Sequence, residues 1–116
     1  MQDLYDEPAL RRLQRQLNHE VEHGIKDANR DIIHAQIPAL DKERFVSLAV
    51  AVARLRAAYL SEALRLTDPE FSQDPPTALI QSLKARREAY EEARAAFEAL
   101  QRAIERGYLE LDGLLV

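Results

Sequence analysis

Apolar residues recur along the first third of the chain at steps of three and four: Leu10, Leu13, Leu17, Val21, Ile25, Ala28, Ile32 and Ala35. That spacing lines one face of an α-helix. Pro8 suits a first helical turn, with Asp6 or Glu7 favouring the N-terminus, and Pro38 stops the run. The pattern predicts a helix over 7–36. At about 1.5 Å per residue it extends some 45 Å.

Asp41 is a natural N-cap for a second helix over 41–66. Its polar residues, Ser47, Arg54, Ser61 or Glu62, and Arg65, form a narrow stripe, and Ala49, Val50, Ala51, Val52 and Ala53 spread over the remainder. A helix apolar around most of its circumference is covered on several sides. Two partner helices in one chain hardly suffice for that. Phe45, Leu48, Val52, Arg56 and Tyr59 are therefore expected to meet a second subunit. Arg56 interrupts this face, either as a stem snorkelling to the edge or as a charge paired with Glu20 or Glu62.

Three prolines between Thr67 and Pro76 mark a loop over 67–74, with Phe71 expected over the bundle end. Asp74-Pro75-Pro76 reads as a cap and a rigid first turn. Leu83, Tyr90, Phe97, Ile104 and Leu111 then recur every seven residues, predicting a long helix over 75–110 that Gly107 ends or kinks. An apolar tail over 111–116 follows, whose Leu114, Leu115 and Val116 pack on the bundle or dock on a partner. The expected fold is all-α: an antiparallel three-helix bundle of long helices, one domain over 1–116, completed by homodimerisation.

Composition narrows the function classes. With 116 residues, 47% hydrophobic and 31% charged, the chain is expected to fold as one soluble unit. The net charge of −4 is mixed evenly along the sequence, which argues against the basic face that nucleic acid requires. With no cysteine, disulfides and thiolate metal sites are excluded. The longest apolar run, Leu48 to Ala53, is far short of the roughly 20 residues that span a bilayer. The acidic start, Met1 to Glu7, is unlike a secretory signal, so no membrane partner and a cytoplasmic location are expected.

One pattern has the spacing for chemistry. His19-Glu20-Val21-Glu22-His23 places two imidazoles one turn apart, in the H-E-x-x-H order of zinc hydrolases. The surroundings fit a peptidase poorly. Glu22 and Gly24 stand where such enzymes carry apolar residues, Asn29 where a third histidine belongs, and no strand pattern precedes the motif. A milder metal reading uses His19, Glu20 and His23 with Glu62 from the second helix, for zinc or iron, with the remaining ligands from a second subunit. The plain alternative is a solvated polar face. His23 with Lys26 partly matches a phosphotransfer histidine, but Asp27 stands where that pattern has glycine. Asp27 to Asp31 has the start of a calcium loop, yet Ile32 and Pro38 occupy the positions of its turn glycine and bidentate glutamate.

No phosphate loop or nucleophile elbow is present, so an enzyme is not the leading expectation. The chain reads as a helical protein–protein interaction module acting as a homo-oligomer: an adaptor, an assembly factor or a regulator. Its partners are itself and another protein, with no cofactor required.

Overall fold

The computed structural model describes residues 7–112. The chain is all-α apart from one short ladder. Its elements run α1 (Glu7–Gln36), β1 (Leu40–Asp41), α2 (Lys42–Leu64), a 3-10 turn (Arg65–Thr67), α3 (Thr77–Glu105) and β2 (Leu111–Asp112).

Local chemistry explains where the helices begin and end. The Ile37 N–H still donates to Ile33 at 2.7 Å, after which Pro38 prevents continuation. Asp41 caps α2: its backbone is extended and its carboxylate accepts from the Arg44 N–H at 2.6 Å. The Thr67 hydroxyl donates to the Leu64 carbonyl at 2.7 Å and closes the far end. The third helix starts later than the sequence suggests. Pro76, not Asp74, is its N-cap residue, and its carbonyl accepts from the Leu79 N–H at 3.0 Å. It also stops at Glu105 instead of 110. Gly107, at φ 76°, takes the left-handed conformation. Its N–H donates to Ile104 and that of Tyr108 to Ala103, the double bond pattern that closes helices at a glycine.

The α2 and α3 helices pack as a hairpin. Phe45 stacks on Phe97 with ring centroids 5.0 Å apart, and Tyr59 on Tyr90 at 6.2 Å. Val52 is buried between these two contacts and Leu79 beyond them at the start of α3, while Phe71 meets the Arg65 guanidinium at 5.6 Å. At the open end, β1 and β2 run parallel, with Leu40 opposite Leu111 and Asp41 opposite Asp112. Leu40 and Leu109 are buried there, each at 5% exposure.

The first helix departs from the expected three-helix bundle. Among the described residues it buries none of its own and joins neither α2 nor α3 along its length. Among the described residues, its contacts with the end of the chain lie in its later turns. Arg30 reaches Glu110 at 4.0 Å, and the Lys26 side chain lies beside Gly107. The cause is local: β1 is tied to β2, and the polar side of α1 is seated on 107–110, so the helix is turned outward. The molecule measures 81 × 41 × 23 Å, with a radius of gyration of 23.7 Å. A compact chain of about 100 residues has roughly 13 Å.

Candidate functional site: an uncovered helical surface

The histidine pair lies on the outward part of α1. The His19 and His23 rings stack with centroids 5.9 Å apart and planes 11° from parallel, and both residues are exposed. Glu20 accepts from the Gln16 amide at 3.5 Å. Glu62 belongs to a different constellation. It is 8% exposed, and its two oxygens meet Arg65 at 3.0 Å and Arg86 at 3.3 Å. Two guanidinium groups compensate a carboxylate taken out of water, which is why it sits comfortably between α2 and α3. Among the described residues, no three His, Cys, Asp or Glu side chains stand close enough to hold one ion. Within one chain, then, Glu62 does not join the histidines.

Several of the residues expected at an intersubunit face make contacts within the chain. Phe45 and Tyr59 stack on α3 of the same chain, and the Arg56 Nε donates to the Tyr90 hydroxyl at 3.1 Å. The Arg56 guanidinium also sits 5.2 Å from the centre of the Tyr90 ring, a cation–π contact, so neither Glu20 nor Glu62 is its partner. Val52 is buried at 7% exposure. Leu48 and Leu100 help line a groove of about 580 Å³ at the corner where residues 36–40 turn from α1 into α2. Leu114, Leu115 and Val116 lie outside the described residues.

What remains open is apolar. On α1, Leu13, Leu17, Val21, Ile25 and Ile32 are 50–65% exposed. On α2, the side away from α3 carries Val46, Val50, Leu60 and Leu64, at 41–66% exposure, with exposed Ala53 and Ala57 between them. With about 100° between successive residues, these six fall within roughly 40° of one line along the helix. The helix therefore has two apolar faces, one used within the hairpin and one bare. The second face was legible in the sequence, as steps of four, three, four, three and four from Val46 to Leu64. It is part of the apolar circumference that the sequence shows on α2, on the side away from the aromatic residues.

No helix among the described residues is long and apolar enough to cross a membrane. Comparison with protein-family models, with curated proteins and with solved structures finds no match for this chain.

Proposed function

We propose that the protein is a helical interaction module that works as a homo-oligomer. One observation carries this reading: the apolar stripe of α1 lies bare, Ile32 at 65%, Leu17 at 59% and Leu13 at 58% exposure. Contiguous apolar surface of that extent marks an interaction site. The solvent-accessible area supports it. One chain of 13.2 kDa exposes 9455 Å², where a compact monomer of that mass exposes roughly 6,400 Å². An excess on the order of 3,000 Å² per chain is more than the roughly 1,000–2,500 Å² that each partner of an obligate dimer typically removes from water, so it leaves room for such an interface.

Sedimentation velocity of the full chain tests the proposal. A species at a multiple of 13.2 kDa is expected, with melting that rises with protein concentration. A monomer at every concentration up to about 100 μM would refute it.

A second reading keeps the histidine pair as the start of a metal site. Two near-parallel imidazoles one turn apart on an open face favour it. Its further ligands would come from another copy. Calorimetric titration with zinc or ferrous iron checks this: stoichiometric heat that disappears in His19→Ala and His23→Ala supports the site, and its absence removes it.

A further inference from the structure

The two bare stripes mirror one another about the turn that joins their helices. Counting outward from Ala39, Ile32 and Val46 both lie seven places away, Ala28 and Val50 eleven, Ile25 and Ala53 fourteen, Val21 and Ala57 eighteen. Leu17 with Leu60 and Leu13 with Leu64 continue the series one place out of step. Antiparallel helices meet at such equidistant positions, and the spacing on α2 is that of a coiled-coil seam. Sizes match as well. Val21 and Ile25 oppose alanines, which allows close approach, and leucines oppose leucines farther out.

Within one chain this match is not used. The side of α1 seated on residues 107–110 carries Lys26 and Arg30, with Asn29, Ile33 and Ile37 half-buried near them. On the helix that side lies opposite Leu17, Val21 and Ala28. The apolar stripe therefore faces away from its own α2, and the pairing of Leu40–Asp41 with Leu111–Asp112 pins the turn that would have to reverse. A complementary surface that the chain presents but cannot use on itself fits a second copy.

We infer that two copies exchange α1, each laying its Leu13–Ile32 stripe antiparallel on the Val46–Leu64 seam of the other. The exchange rebuilds a three-helix unit twice, with the first helix of each unit supplied by the partner copy. It rests on the self-association proposed above and specifies its surface, its direction and its register.

Because the chain has no cysteine, introduced thiols report on this contact alone. Val21→Cys and Ala57→Cys, both at exposed positions, are made in separate chains of different tag length, co-refolded and oxidised. Circular dichroism confirms that both variants keep their helices, and sedimentation gives their mass before oxidation. About half of the protein, the statistical share of mixed dimers from equal amounts of the two chains, is expected as a covalent Val21→Cys to Ala57→Cys heterodimer. Ser47→Cys, on the polar stripe of α2, is expected to give at least tenfold less product with Val21→Cys. The doubly substituted chain is expected to run at twice the monomer mass with both thiols consumed. A dimer by sedimentation that links only Val21→Cys to itself, or not at all, overturns the exchange and leaves self-association standing. A monomer in which the doubly substituted chain closes its own disulfide overturns both, as does a monomer that forms no link.

Discussion

Phe45 and Phe97 lie nearly face to face across the α2–α3 hairpin, with ring centroids 5.0 Å apart and planes 23° from parallel. Both are half-buried, so the stack lies at the edge of the hairpin's interior. A double-mutant cycle with Phe45→Leu and Phe97→Leu is expected to show a coupling of about 0.5–1.5 kcal/mol. Strictly additive losses in urea unfolding would mean that the stacking itself adds nothing beyond apolar area.

The carboxylate of Glu62 depends on two arginines, of which Arg86 comes from the opposite helix. Arg86→Met leaves it with Arg65 alone. Since Arg86 is 46% exposed and its charge is partly screened, the expected loss is modest, about 1 kcal/mol. The exposed pair of Lys84 and Glu88, at 3.9 Å, provides the comparison: Lys84→Met is expected to change stability by less than about 0.5 kcal/mol. Equal effects for the two variants would contradict the burial of Glu62.

Gly107 is required for its backbone and not for room. A side chain there meets only the flexible end of Lys26, at 3.9 Å. The φ of 76° nevertheless penalises any residue with a Cβ. Gly107→Ala is expected to cost about 1–2 kcal/mol in thermal or urea unfolding, and Gly107→Asn clearly less, because asparagine tolerates this conformation. The same loss for both would indicate crowding in place of backbone strain.

At the other end of the same junction, Asp41→Ala removes the acceptor for the Arg44 N–H. A destabilisation of about 1 kcal/mol is expected, with Asp41→Asn close to the parent protein. Hydrogen exchange of the first turn of α2 reads this directly. Unchanged protection in Asp41→Ala would remove the cap from the account.

Punctuation was the most readable part of the sequence. Pro38 ends a helix and Asp41 starts one, because each acts through its own backbone and needs no distant partner. The heptad residues Tyr90 and Phe97 likewise proclaim the side of α3 that α2 covers. Four things were not readable. A stripe such as Leu10 to Ile32 states that a face calls for cover and is silent about which molecule provides it. The ladder of Leu40 with Leu111 is two residues long on each side, too short for any alternation to announce a strand. Asp74 looked like a cap, yet two successive prolines hold the chain extended and delay the first turn to Thr77. The Glu62 constellation was missed for a related reason: Arg86 joins it only once α3 folds back, and no spacing within one helix encodes that.

The ladder at Leu40 and Leu111 also sets the order of events as the chain is made. Joining residues about 70 positions apart closes a longer loop than the α2–α3 hairpin does, which can zip up from Glu62 with Arg86, about 24 apart, while α1 forms from contacts within itself. By the time residue 111 leaves the ribosome, α1 has long been synthesised and its heading is still unset. The direction in which the arm points then falls to two strand residues that emerge late.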